Sequence, residues 1–195
     1  MLMNIGQLEQ TLTQRSHRTL SCPDFSPAAV LLPLLQANDG EHILFTKRTE
    51  RVEHHKGQIS FPGGRLDEGE NLQQCALRET HEEVGIEPGH IRVIGRLDDI
   101  WTPTRYVVTP FVGLVPYPYR FTLSEAEIEE IMLVPVCDLI NPAIYEETKI
   151  EYQGKEAIVP YYHWGEKTIW GATGRILRQF LGLAFPGEVE PCATP

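Results

Sequence analysis

Between the Pro62-Gly63-Gly64 break and Gly85 lies the stretch that most restricts what this chain can become. Its apolar and polar residues predict a helix over residues 71–84, stopped by Gly85. An α-helix turns by about 100° per residue. In projection Glu79 and Glu83 are therefore about 40° apart, Glu82 lies about 60° to the other side, and all three carboxylates share an arc of roughly 100°. Ala76, Leu77, Thr80 and Val84 form a separate arc suited to packing on a sheet. Like charges at this spacing repel by a few tenths of a kcal/mol per pair on a solvated helix. A divalent cation reverses that sign, because hard ions such as Mg2+ and Mn2+ take oxygen ligands. An acidic run alone reads equally well as a solvated face. Gly63 and Gly64, which let backbone approach a ligand closely, add weight to the metal-facing reading.

Around this helix the chain alternates short apolar runs with turn residues. A short helix is expected over residues 5–13, and strands over 28–35 and 41–46, joined at Asn38, Asp39 and Gly40. Residues 48–56 are polar, and 58–61 are short and extended. Further strands are expected over 91–97, 106–115 and 131–136. Ser124 suits an N-cap ahead of a short acidic helical turn. Residues 149–152 and 157–162 flank Gly154 as a hairpin, and a last helix spans 168–183, with Ile169 among its apolar positions and Trp170 expected in the core. Strands interspersed with two long helices predict a mixed sheet covered by helices. One domain over residues 1–195 is the expected organisation, with its core at about 28–183 and a peripheral N-terminal helix and C-terminal tail.

Composition limits the function classes. Seventeen Lys and Arg against 27 Asp and Glu give a formal charge of −10. This disfavours a nucleic-acid partner, since phosphate backbones are gripped by clustered basic residues. It leaves room for a small phosphorylated substrate, whose charge a divalent metal offsets. Cys22, Cys75, Cys137 and Cys192 form no Cys-x-x-Cys pair, so reduced thiols are expected rather than a zinc site or a disulfide framework. Residues 1–14 carry no long apolar stretch, and neither a signal peptide nor a membrane association is expected. The expected location is the cytoplasm, as a monomer or homodimer.

The stretch from Gly64 to Ile86 resembles the Nudix box, G-x5-E-x7-R-E-U-x-E-E-x-G-U, with U a bulky aliphatic residue. Gly64, Glu70, Arg78, Glu79, Glu82, Glu83, Gly85 and Ile86 stand in register, and Thr80 takes a usually aliphatic place. The resemblance implies the Nudix fold, an α/β (α+β) architecture with a mixed β-sheet sandwiched between α-helices. It implies Mg2+- or Mn2+-dependent hydrolysis of a nucleoside diphosphate linked to another group. Carried over residue by residue, Glu79, Glu82, Glu83 and the Gly63 carbonyl are the implied metal ligands. The resemblance also implies that Arg78 holds a glutamate by a charged hydrogen bond and that Glu70 has a structural or outer-shell role. The base that activates water is expected among Glu83, Glu82, Glu125 and Glu127, with Glu127 first off the helix. For each residue of the acidic run 125–130, a solvated turn stands as the competing reading.

The segment Leu44-Phe45-Thr46-Lys47-Arg48-Thr49, followed by Gly57-Gln58-Ile59-Ser60-Phe61-Pro62-Gly63-Gly64, is similar to the pattern L-L-T-x-R-[SA]-x3-R-x3-G-x3-F-P-G-G of coenzyme A pyrophosphatases. That similarity implies cleavage of coenzyme A or a derivative into 4′-phosphopantetheine and adenosine 3′,5′-bisphosphate, with Arg48, His55 and Gly57 as candidate substrate contacts. Thr49 departs from Ser or Ala, and Glu53 replaces an arginine suited to phosphate. Glu53 keeps open a Nudix activity on ADP-ribose, NADH or an oxidised nucleotide. A non-catalytic Nudix-fold binding protein is a third class, against which all three box carboxylates argue. Trp101 is read as an edge or buried aromatic rather than an adenine platform.

Overall fold

The computed structural model describes residues 3–49, 57–152 and 155–189. After helix α1 (Ile5–Gln14) come strands β1 (Ser26–Ala37), β2 (Gly40–Arg48), β3 (Ile59–Ser60) and β4 (Gly63–Arg65). Helix α2 (Leu72–Val84) follows, then β5 (Arg92–Arg96), β6 (Ile100–Trp101), β7 (Tyr106–Val115) and β8 (Ile128–Pro135). A short helix α3 (Val136–Leu139), strands β9 (Tyr145–Tyr152), β10 (Lys155–Trp164) and β11 (Lys167–Ile169), and helix α4 (Gly171–Ala184) complete the order.

The main sheet runs β3-β2-β1-β7-β5, with β4 on β1, β6 on β7 and β8 on β2. Only the β1–β7 pair is parallel among its described pairings, so the sheet is mixed as the sequence predicts. Strand β1 is apolar on both faces because both are covered. Ala29, Leu31 and Leu35 pack with Leu44 against Cys75, Ala76 and Val84 of α2. Leu32 and Leu34 point the other way, with Ile43 and Phe45, into a cluster shared with Leu8 and Leu12 of α1 and Ile176, Leu177 and Phe180 of α4. The period-2 alternation of β1 thus sets the two layers.

Two expectations need correction. The acidic run before β8 does form a single turn closed by the Ser124 carbonyl, but the strand after it is longer than expected. The amides of Glu127 and Ile128 both donate to the Ser124 carbonyl in a tight turn, and β8 starts at Ile128, three residues earlier than predicted. Charge matching explains the extension: Glu130 lies opposite Lys47 of β2, and the Lys47 Nζ is 2.8 Å from Glu129. The last helix also begins later. Gly165, at φ 59°, turns the chain so that Lys167 pairs with Trp164, which places Ile169 in β11. Trp170 is then the N-cap of α4, 45% exposed and stacked on Tyr161 rather than in the core. The hairpin expected about Gly154 exists as β9 and β10, whose paired residues run from Tyr145–Tyr162 to Tyr152–Lys155.

Candidate active site

The site grows from a helix whose two ends are fixed. Asn71 accepts from the Gln74 amide at 3.0 Å while Gln74 accepts from the Asn71 amide at 2.9 Å, a reciprocal cap of about 1 kcal/mol. Gly85 adopts φ 72° and its amide donates to the His81 carbonyl at 2.9 Å. Between these ends Thr80, fully buried where the box pattern has an aliphatic residue, donates its hydroxyl to the Ala76 carbonyl at 2.7 Å. The substitution therefore leaves no unpaired polar group against the sheet.

The glycine pair brings backbone onto this helix. A Cβ on Gly63 would lie 2.6 Å from the Val30 Cα, and one on Gly64 would overlap the Glu79 carboxylate. Only glycines let β4 pair with β1 and touch the helix together. The buried Cys75 thiol stitches the same junction, donating to the Arg65 carbonyl at 3.3 Å; burial pushes its pKa up to about 12.

Arg78 is a clamp. Its Nη2 and Nε reach the two oxygens of Glu70 at 2.8 and 3.1 Å, and its Nη1 reaches Glu79 at 2.9 Å and Glu82 at 3.1 Å. The guanidinium holds Glu70 down at about 2, and is itself raised further above its ordinary value by Glu70. Glu79 is raised nonetheless, because burial outweighs Arg78 and the neighbouring Glu82 and Glu127 add repulsion. Glu82 is 55% exposed, at the solvent edge of the cluster that Arg78 holds.

Glu83 is the unusual member. Its side chain is 2% exposed, and burial pushes it up to about 8. Arg48 and the Gly63 amide oppose that shift, whereas Glu79 and Glu127 add to it. Arg48 Nη1 lies 3.3 Å from Glu83 Oε1, while Oε2 is buried with no hydrogen-bond partner among the described residues. The helix arc thus splits into a buried carboxylate, a half-buried one and an exposed one, not the uniform edge that angular spacing suggests.

Glu127 joins from outside the helix. Its turn hangs from two anchors: the Thr122 and Ser124 amides donate to the Val84 and Glu83 carbonyls at 3.0 Å each, and the Thr49 amide donates to the Glu127 carbonyl at 2.9 Å. The Thr49 hydroxyl adds a bond to the Ala126 carbonyl at 3.2 Å. Glu127 consequently sits 3.6 Å from Arg48 Nη2, on the guanidinium that also meets Glu83. Glu125 is exposed, and Glu129 and Glu130 pair with Lys47 and Lys167.

Of the predicted site residues, Glu79, Glu82, Glu83, Arg78, Glu127 and Arg48 converge, with Gly63 beside Glu83. Gly57 holds φ 63° just before β3, and no contact places it in the cluster. His55 and Glu53 lie outside the described residues, as does Cys192. Sequence reasoning missed Thr49, whose identity it noted only as a departure, and the Arg48 bridge, which it assigned to substrate. Trp101 is half-buried with the Arg175 guanidinium 5.5 Å over its ring.

Among the described residues no three acidic, histidine or cysteine side chains form a closed ligand set, and Arg48 and Arg78 supply the positive charge between the carboxylates. The donors nevertheless suit a hard divalent ion: they are carboxylate oxygens, and the buried Glu83 Oε2 is an unsatisfied acceptor.

A mixed sheet between helices, with a double glycine leading into a capped helix of clamped glutamates, defines a class, and comparison with known proteins agrees with it. Residues 25–155 match the NUDIX domain, and the chain belongs to the Nudix hydrolase family. It is 34% identical over 153 residues to an uncharacterized Nudix hydrolase named NudL from Enterobacter sp. (strain 638), covering 78% of this chain and 79% of that protein. The corresponding Escherichia coli O7:K1 protein is 33% identical over 165 residues, 84% of each chain. A crystal structure of a C. elegans Ap4A hydrolase binary complex shares the fold, with a TM-score of 0.51 at 21% identity, over 58% of this chain and 83% of that one. No helix among the described residues is long and apolar enough to cross a membrane.

Proposed function

We propose that this protein is a Mg2+- or Mn2+-dependent pyrophosphohydrolase whose substrate is coenzyme A or a derivative, cut at the diphosphate into 4′-phosphopantetheine and adenosine 3′,5′-bisphosphate. The observation that carries the hydrolytic reading is Glu83: a buried carboxylate with an unpaired oxygen, beside the Gly63 amide and facing Glu79 and Glu127. A buried carboxylate with one oxygen left unpaired is costly in a purely structural setting, and a hard cation offsets that cost.

Glu79, Glu82 and Glu83, with the Gly63 carbonyl, would hold the ion. When bound, such an ion neutralises phosphoryl oxygens and makes a nearby water more acidic. Arg78 keeps Glu79 and Glu82 in position and is itself held by Glu70. Glu83 and Glu127 are the groups that accept the water proton. His55 and Gly57 are the proposed substrate contacts.

The coenzyme A assignment rests on the similarity of the segment from Leu44 to Gly64, and Glu53 favours a second reading, hydrolysis of ADP-ribose, NADH or an oxidised nucleotide. A panel of coenzyme A, ADP-ribose, NADH and nucleoside triphosphates, with Mg2+ and Mn2+ compared, separates them. Coenzyme A is expected to give the highest kcat/KM. Should it be the poorest substrate of the set, the second reading replaces the first.

A further inference from the structure

The two arginines of the cluster hold their carboxylates in different ways. Arg78 makes tight contacts, and its anchor Glu70 stands outside the trio of implied ligands, so the clamp survives whatever the trio binds. Among the described residues Arg48 has no such anchor. Its partners are Glu83 at 3.3 Å and Glu127 at 3.6 Å, both longer than the 2.7–2.9 Å usual for charged hydrogen bonds. It engages only one oxygen of Glu83 and leaves the other unpaired. Its side chain is about a quarter exposed and Glu127 is half exposed, so the guanidinium has a route toward solvent.

We propose that Arg48 is the resident counter-cation of the acidic cluster: it holds Glu83 and Glu127 together in the metal-free protein and competes with a divalent ion for Glu83, so that loading the site detaches it. This rests on reading Glu83 as a metal ligand. The physical ground is charge and space. A guanidinium does not deprotonate in a protein, so its repulsion of an incoming ion is relieved only by movement. Water screens a buried pair poorly, and the pair here includes a carboxylate that is 2% exposed. Arg48 is thus a positioning residue that trades places with the metal, a role distinct from a standing contact to substrate phosphate.

The test is Mn2+ binding to the full chain by calorimetry without substrate, joined to thermal unfolding in chelator and in saturating Mn2+. Arg48→Gln is expected to bind Mn2+ about tenfold more tightly than the parent, a change of about 1.4 kcal/mol. It is expected to melt below the parent in chelator and level with it in Mn2+. Arg48→Lys, which keeps the charge, is expected to stay within about twofold of the parent affinity. Arg48→Ala carries the same expectation as the Gln form and covers the case that one of them does not fold. Parent-like or weaker Mn2+ binding in Arg48→Gln and Arg48→Ala, with a raised KM alone, overturns the proposal and leaves the metal reading standing. An absence of Mn2+ binding in every form, parent included, overturns both.

Discussion

Helix α2 and the turn from Ser124 to Ile128 each deliver carboxylates to one place, yet they are held there by opposite means. The helix is self-contained: its cap, its αL stop and its Arg78–Glu70 clamp all lie between Glu70 and Gly85. The turn has one internal anchor, the Ser124 carbonyl, and is otherwise suspended from the end of α2 on one side and from Thr49 on the other. Local order makes the first region robust and recognisable. The second depends on contacts made across long stretches of chain, and its geometry is more easily disturbed.

The largest effect is expected from Glu83→Gln, which keeps the side-chain shape and removes its charge. Turnover of coenzyme A should fall at least about 100-fold, the scale of a lost electrostatic contribution, in steady-state assays. Near-parental kcat would break the comparison at its root, because the buried helix carboxylate would then matter no more than an exposed one. Next comes Gly64→Ala, whose methyl must displace the Glu79 carboxylate. That side-chain end can swing aside, so stability read by chemical denaturation should change little, while turnover should fall because Glu79 leaves its place.

Thr49→Val sharpens the contrast between the two regions. Losing the bond to the Ala126 carbonyl should cost about 1 kcal/mol and loosen the turn, so kcat should drop a few-fold while hydrogen exchange rises at residues 124–127 and not along α2. Uniform protection in the variant would mean that the turn does not depend on that tether. The smallest effect is expected from the clamp near the surface. Arg78 lowers Glu70 from 4.5 to about 2, so the stability this pair contributes is complete above about pH 4.5 and is lost as the pH falls toward 2. Glu70→Gln should flatten that part of the acid-unfolding curve measured by circular dichroism.

The same division explains what could be read from the residues alone. Helix α2, with its boundaries, its stop at Gly85 and its buried Ala76, Thr80 and Val84, follows from local spacing and capping. Strands β1, β2 and β7 follow from apolar runs bounded by turn residues. The start of β8 was illegible because a Glu-Glu pair reads as helix or turn until Lys47 is known to lie opposite. The boundary between β11 and α4 was missed because Ile169 and Trp170 continue the apolar pattern of the helix, whereas the turn at Gly165 decides otherwise. Arg48 could be named from its place in the chain, but its partners depend on Glu83, 35 residues away, and on the turn at Glu127. Side-chain pairing at that separation has no local signature.

Hanging the acidic turn from the last carbonyls of α2 has a mechanical consequence. Val84 and Glu83 spend backbone oxygens that a helix end normally leaves to water on the amides of Thr122 and Ser124. Any tilt of the helix terminus therefore pulls on the turn while the Thr49 tether, fixed to the sheet, resists, so strain between helix and sheet falls on the junction of Glu83 and Glu127.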